Sequence, residues 1–276
     1  MNINELGFES WSRRTRVALV VAISLICFLG LCLAAPIPLG PSYHIFADNR
    51  TQLGIPNCQD VLSNIPFMLV GLWGTLWLCG GASAGAFRTR LEKTVYLVFF
   101  LGVALTGVGS FWYHLNPTNQ RLPFDLLPMT CAFMAILTSV AIERIGGRFG
   151  RSLFITLLLL GCSSVGYWYV TAARGHGDYR FYLFVQFFPP ILIGLMIVLF
   201  PSSYTGMKYL VTAFLLFVIA KIFESFDAQI YQAGHIVSGH ALKHITAGVA
   251  CYSILLMLQR RSATTTLANG CIRSSV

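Results

Sequence analysis

Residues 239–258 read GHALKHITAGVACYSILLML, and this stretch decides the class of fold. It has the length of about 20 residues that an α-helix needs to cross the hydrocarbon core of a bilayer. A helix also satisfies its backbone polar groups internally, as lipid requires. The stretch therefore predicts a transmembrane helix. Comparable stretches recur along the chain, and the predicted spans are 17–37, 60–80, 94–114, 123–142, 152–172, 181–200, 208–226 and 239–258.

The composition of the whole chain supports the same class. Of its 276 residues, 56% are hydrophobic and 11% are charged, and the mean hydropathy is +0.70. This leaves too little polar surface to cover a soluble globule. Because no long polar stretch separates the spans, the sequence predicts one all-α, polytopic membrane domain without a soluble appendage.

The formal net charge is +9, and the basic residues concentrate in alternate loops. The positive-inside rule predicts this distribution for an even number of spans with both termini in the cytoplasm. The charge therefore gives no reason to expect nucleic-acid binding. The predicted cytoplasmic side holds Arg13, Arg14, Arg16, Arg88, Arg90, Lys93, Arg144, Arg148, Arg151, Lys208, Arg260, Arg261 and Arg273, and the other side holds Arg50, Arg121, Arg174 and Arg180.

The first span has a second interpretation. Three arginines between residues 13 and 16 precede an apolar run that ends in AAP at residues 34–36, which is similar to a secretory signal peptide. The apolar run is long for the hydrophobic region of a signal peptide, and no clean small-x-small site precedes a plausible cleavage point. We therefore expect a retained helix.

The eight cysteines show no C-x-x-C spacing, and most of them fall inside apolar spans. This pattern is typical of small hydrophobic residues, and it favours neither metal ligation nor a disulfide framework.

Five polar residues are predicted to lie at one depth in the membrane. Ser110 and His114 are four residues apart at the external end of the third span, so a helix places them on one face. Asp125 opens the fourth span after a short turn, and His240 and His244 open the last span. Three helices therefore bring three imidazoles, a carboxylate and a hydroxyl to the external side.

This combination predicts a hydrolytic zinc site. Taken singly, an intramembrane histidine is more often a packing residue, and Asp125 could cap its helix. Two histidines at i and i+4 present two ring nitrogens on one helical face, and a third, His114, completes the three-ligand set of a catalytic zinc. Ionisable groups at membrane depth are costly, which favours a functional role for the cluster.

The order S-x-x-x-H, a nearby Asp, then H-x-x-x-H in the last span resembles the alkaline ceramidase family. That family belongs to a wider superfamily of seven-helix membrane hydrolases that includes the adiponectin and progestin receptors. The segments that carry the resemblance are IPNCQDVLSNIPF, GSFWYHLNPTNQRLPFDLLPM and GHALKHITAG, and the match covers roughly 44–258.

The resemblance implies three regions. They are a cytoplasmic segment with an extra transmembrane helix at 1–43, a seven-helix domain at 44–259 and a short basic cytoplasmic tail at 260–276. It also implies roles in the site: His114, His240 and His244 would bind zinc, and Asp125 would deprotonate a metal-activated water. Ser110 would help to bind or polarise the scissile carbonyl.

The resemblance further implies a calcium site before the first core span. Its ligands would be Asp48, Asn57 and Asp60. The acidic cluster that precedes Asp48 in eukaryotic members is missing, since this chain reads YHIFADNR. Calcium prefers six to eight oxygen ligands, so a simple turn at residues 48 and 49 is favoured over a calcium site.

Further charged residues lie near the predicted site. Glu224 and Asp227 could orient a ligand histidine or contact the lipid headgroup, or the acids could simply be neutralised by Lys221 or Lys243. Lys243 is expected to reach the pocket mouth or to snorkel to the surface. His44, His176 and His235 fall in predicted loops, where we expect them to be solvated.

Three functions are consistent with these residues. The first is a zinc-dependent intramembrane amidase that hydrolyses ceramide-like N-acyl sphingoid bases. The second is a zinc hydrolase of another lipid, such as a phospholipid or a GPI-type ester, and the third is a membrane receptor with structural zinc. A purely structural zinc usually has four protein ligands, so the three histidines beside Asp125 favour an enzyme. The extra helix and short loops favour a bacterial inner membrane over an endomembrane.

Overall fold

The computed structural model describes residues 11–40 and 42–264, and these residues form a helical bundle without a β-strand. A 3₁₀ turn at Gly81–Ser83 lies between the third and the fourth helix. The helices are α1 (Arg13–Leu33), α2 (Cys58–Leu62), α3 (Ile65–Cys79), α4 (Arg90–Leu115), α5 (Leu122–Ile145), α6 (Gly150–Ala173), α7 (Arg180–Leu199), α8 (Met207–Ser225), α9 (Asp227–Gly234) and α10 (Gly239–Arg260).

The predicted all-α, polytopic membrane fold is confirmed. In the described part of the chain, seven segments are long and apolar enough to cross a membrane, with α2 and α3 counted together. The pair α8 and α9 makes an eighth span if it is counted as one, although it bends by 71°. The predicted eight spans therefore correspond to the helices in order.

Two predicted elements differ from the structure. The span predicted at 60–80 begins at residue 58 and breaks after α2, where the Ser63 hydroxyl and the Asn64 amide both donate to the Asp60 carbonyl. Such local side-chain bonds compete with the helical ladder. Residues 227–234, predicted to be loop, form the short helix α9.

Helix α1 begins and ends four residues earlier than predicted. The Ser12 hydroxyl accepts a hydrogen bond from the Thr15 backbone N–H and so caps the helix at its start. At the other end Ala34 is extended, as expected two residues before Pro36, since a proline cannot continue a helix. Val20 is the buried residue of α1, which packs mainly on α7, so this helix lies at the edge of the bundle.

Glycines allow the central helices to approach closely enough to form a site. A Cβ on Gly109 of α4 would lie 1.8 Å from the Phe124 carbonyl oxygen of α5. A Cβ on Gly239, at the start of α10, would lie 2.2 Å from the Phe223 carbonyl oxygen of α8. Neither position can carry a side chain without moving a backbone, and each is next to a residue of the predicted site.

A buried ion pair ties the opposite end of the bundle together. Arg261, just after α10, donates to the Glu143 carboxylate of α5 at 2.5 Å, and its guanidinium lies 3.9 Å from the centre of the Tyr204 ring. The Tyr96 hydroxyl donates to the same carboxylate at 3.0 Å. These contacts join α4, α5 and the residues that follow α10. The rest of the predicted tail, 265–276, lies outside the described residues.

Candidate metal centre

Three buried histidines from two helices converge at one end of the bundle. His114 lies at the end of α4, and His240 and His244 lie on one face of α10 at its start. One ring nitrogen of each lies within 4.8 Å of the others, so the group could hold a metal ion. The structure thus brings together the three residues that the sequence predicted as metal ligands.

The geometry of this cluster fits a single ion. The Nε2 atoms of His114 and His240 are 3.3 Å apart. Two nitrogens bound at about 2.0–2.1 Å to one tetrahedral ion would be separated by roughly that distance. The histidine side chains are almost entirely inaccessible to solvent, and in the described residues the His114 Nδ1 has no hydrogen-bond partner.

Ser63 orients the ring of His244. The Ser63 hydroxyl donates to the Asp60 carbonyl at 3.0 Å and lies 2.9 Å from His244 Nδ1. Because its single proton goes to Asp60, the hydroxyl accepts from Nδ1–H of His244. This leaves the lone pair of His244 on Nε2, where a metal can take it.

Asp227 positions the backbone of His240. One carboxylate oxygen accepts the His240 backbone N–H at 2.8 Å, and the other accepts the backbone N–H of Ala47 at 3.0 Å. Asp227 therefore binds the main chain of a candidate ligand. It does not bind the second ring nitrogen, which was the role considered from the sequence.

The loop that precedes α2 covers the cluster. The Phe46 ring lies 4.6 Å from the ring of His114 and 4.5 Å from the ring of His240, measured between centroids. The Asn57 side chain donates to the His114 backbone carbonyl at 2.8 Å. This loop therefore shields the histidines and also fixes the end of α4.

Asp125 and Ser110 lie next to each other and line the same cavity as His244. Both side chains are buried, and they interact across the close contact of α4 and α5 at Gly109. Helix α5 begins at Leu122 with Arg121 as its cap residue, so Asp125 does not cap it. In the part of the chain that the structure describes, Asp125 Oδ1 has no hydrogen-bond partner, which leaves it available to a ligand.

A cavity of about 360 Å³ connects this polar cluster to the bundle interior. Its lining on α10 extends from Lys243 to Ile254, a rise of about 16 Å, or roughly half of a hydrocarbon core. Its polar end is formed by Ser110, Asp125, Lys221, Glu224, Lys243 and His244, and its apolar walls include Phe99, Val103, Ile136, Ile193, Leu210, Phe214 and Ile254.

The cavity lies between α4, α5, α7, α8 and α10. Helix α8 packs extensively on α10, whereas in the described residues α7 and α8 make few mutual contacts. Phe187 of α7 and Phe214 of α8 flank this gap with half-exposed rings. An apolar chain could therefore pass sideways from lipid into the cavity.

Lys243 points into the site. Its ammonium nitrogen lies 3.1 Å from Glu224 Oε1 and 2.9 Å from His240 Nε2, and Glu224 also pairs with Lys221. Both lysines pair with Glu224, which was one of the alternatives considered from the sequence, and Lys243 does not snorkel to the surface. A metal ion and the ammonium would compete for the same His240 lone pair, so the ammonium must turn toward Glu224 or another anion when a metal binds.

The residues predicted for calcium bind three different partners. Asp48 forms an ion pair with Arg50 at 2.7 Å, Asn57 donates to His114, and Asp60 accepts from the Ser238 hydroxyl at 3.0 Å. The Arg50 guanidinium holds the pKa of Asp48 below its usual range. Each of the three side chains thus has a protein partner, and the calcium site stays a prediction.

The loop histidines differ in their surroundings. His44 is half-buried, with Nδ1 2.8 Å from the Tyr113 hydroxyl and Nε2 2.8 Å from the Asn119 side-chain oxygen, so its predicted solvation is wrong. The loop folds back over α4, which the local sequence did not indicate. His176 and His235 are exposed, as expected.

Sequence reasoning missed Ser63 and Phe46. Ser63 lies within IPNCQDVLSNIPF, which resembles the family, and its place three residues after Asp60 was the available signal. Phe46 has no local signal, because its contacts with the histidines depend on how the loop folds.

Comparison with known proteins adds no family assignment. No family model matches the chain, and no curated protein matches it either. The geometry of the site is therefore the basis on which a function can be inferred.

Proposed function

We propose that this protein is a zinc-dependent intramembrane lipid amidase, related to the alkaline ceramidases. The observation that carries the proposal is the buried cluster of His114, His240 and His244, of which His244 lines an apolar cavity that Asp125 also lines. Three buried ring nitrogens within 4.8 Å of one another, two of them 3.3 Å apart, suit zinc and leave room for a substrate. Bound zinc supplies Lewis-acid polarisation of a carbonyl and lowers the pKa of water.

Asp125 is the proton-transfer residue in this proposal. Its unpartnered oxygen and its place in the cavity wall let it accept a proton from the attacking water and return that proton to the leaving nitrogen. Ser110, beside it, can donate to the carboxylate or to the substrate carbonyl. Ser63 and Asp227 take no part in proton transfer in this proposal. They hold His244 and His240, the candidate ligands, in place.

The cavity suits a lipid substrate. Its apolar walls and its length of about half a hydrocarbon core match an acyl chain that enters from one leaflet. The polar end then receives the scissile group while the chain stays in an apolar environment. A ceramide-like amide meets these requirements.

Membrane orientation follows from charge in this proposal. The basic residues at the end opposite the histidines favour a cytoplasmic position for that end and for both termini. The site would then face the non-cytoplasmic side of a bacterial inner membrane. A reporter fused after Val276 should be cytoplasmic, and an external reporter would contradict the topology.

The function can be tested with the purified full-length protein and a panel of lipid amides and esters, with and without a chelator. We expect chelator-sensitive release of fatty acid from amides, with a loss of at least about 100-fold in His240→Ala and Asp125→Asn. His176→Ala, on an exposed loop, is the matched control.

Other outcomes would identify the alternatives. Turnover of phospholipid or GPI-type esters without turnover of amides would support the ester hydrolase. Stoichiometric, tightly held zinc without any turnover would support a receptor with structural zinc.

A further inference from the structure

Two ammonium groups share one carboxylate at the polar end of the cavity. Lys221 and Lys243 both form ion pairs with Glu224. Within residues 11–40 and 42–264, no other carboxylate lies within salt-bridge distance of either lysine. The remaining acid that lines the cavity is Asp125.

The charges of this region favour an additional anion. The two lysines and the two acids that line the cavity cancel formally, the Asp227 carboxylate beside His240 adds one negative charge, and a divalent ion on three neutral imidazoles would add two positive charges, which leaves one positive charge. Uncompensated charge is costly at membrane depth and is usually paired. A negatively charged ligand group would therefore be stabilised here, whereas a neutral headgroup would leave the charge uncompensated.

The two lysines also have hydrogen-bond donors that could bind a negatively charged ligand group. Each ammonium has three N–H donors. Lys221 contacts Glu224 and lies 5.0 Å from the centre of the Phe187 ring, which places it at the gap between α7 and α8. Lys243 lies deeper, within 2.9 Å of His240 Nε2, so an anion bound to Lys243 would lie next to the candidate metal.

We infer that the site selects single-chain lipid amides whose head bears a carboxylate close to the amide, as in an N-acyl α-amino acid. The acyl chain would fill the apolar cavity, and the carboxylate would bind Lys243, with Lys221 at the entrance. The cavity volume of about 360 Å³ lies at the small end of the range for ligand pockets, which suits one chain better than two.

This inference rests on the proposed amidase function and specifies its substrate. In the reaction, the oxygen of water bonds to the acyl carbon and the amide C–N bond breaks. One proton of water passes through Asp125 to the leaving nitrogen. The products are a fatty acid and a free amino acid, and no oxidant or reductant is required.

The test compares N-oleoylglycine with N-oleoylethanolamine, which has the same chain and amide but no carboxylate, and with a ceramide. At saturating zinc, we expect the wild type to prefer N-oleoylglycine by kcat/KM. The preference should fall at least tenfold in Lys243→Gln, chiefly through KM, and should persist in Lys243→Arg. Lys208→Gln, an exposed lysine at the other end of α8, should leave it unchanged.

A binding measurement provides a readout without turnover. Zinc-loaded protein should bind oleate more tightly than oleyl alcohol, measured by displacement of a fluorescent fatty acid, and Lys243→Gln should remove most of that difference. The inference would be overturned if the wild type and Lys243→Gln preferred N-oleoylglycine over N-oleoylethanolamine to the same extent. Equal binding of oleate and oleyl alcohol would also overturn it. Selective oleate binding without hydrolysis of any amide would overturn the amidase function and still support the anion site.

Discussion

The Ser63 hydroxyl lies 2.9 Å from His244 Nδ1, although the two residues are 181 positions apart in the chain. The hydroxyl donates to the Asp60 carbonyl, so it selects the tautomer of His244 that leaves Nε2 open to a metal. A break between α2 and α3 thus determines the chemistry of a residue on α10.

Removal of this hydroxyl should weaken metal binding. In Ser63→Ala, His244 loses the partner that fixes its ring and tautomer, and we expect zinc affinity to fall about 10- to 100-fold. Competition with a chromophoric chelator measures the change. Ser152→Ala, on the exposed start of α6, should behave as wild type. An unchanged affinity in Ser63→Ala would show that Ser63 does not orient the ligand.

Lys243 should oppose metal binding. Its ammonium competes for the His240 lone pair and repels a cation, so Lys243→Met should raise zinc affinity by about tenfold. The same titration measures this effect, with Lys208→Met as the control. A lower affinity in Lys243→Met would indicate that the lysine supports the metal site.

Filling the cavity should block long-chain substrates and leave the metal centre intact. Gly194 of α7 lines the cavity, and a Cβ built there meets no atom within 4 Å. We expect Gly194→Leu to reduce turnover of long-chain amides at least tenfold while zinc affinity stays unchanged. Gly166→Leu, on the exposed face of α6 with equally open surroundings, is the control. Full long-chain activity in Gly194→Leu would place the acyl chain elsewhere.

The buried pair of Glu143 and Arg261 should be important for stability. Removal of one partner leaves a buried charge, so Glu143→Gln is expected to cost about 3–5 kcal/mol of unfolding free energy. The double variant Glu143→Gln/Arg261→Met should lose less than the sum of the single variants, because no charge is left alone. Thermal unfolding in detergent measures both. Additive losses would indicate that the two side chains act independently.

Stability should also decrease in acid through Asp48. The Arg50 guanidinium lowers the pKa of the folded-state carboxyl relative to the unfolded chain. The contribution is therefore complete above the unfolded pKa of about 3.9 and is lost as the pH falls through the lower folded value. The unfolding midpoint of Asp48→Asn should change less between pH 5 and pH 3 than that of the wild type. A parallel change in both proteins would exclude Asp48 as the cause.

Local patterns in the sequence were sufficient for the fold class and for much of the site. Apolar stretches of membrane length predicted the helices, and the i, i+4 spacing placed His240 and His244 on one face. The ends of the spans placed His114 and Asp125 at the same depth. These features depend on helical periodicity and on the thickness of a bilayer, both of which act on each segment separately.

Only the tertiary structure decided which side chains meet across the bundle. Asp227 binds the backbone of His240, Lys243 turns inward, and Ser63 reaches His244, because glycines such as Gly239 let the helices approach closely. A change of one side chain at such a contact alters distances between residues on different helices. For this reason the sequence alone could predict the three candidate metal ligands, whereas the residues that orient them and the charges around them depend on packing.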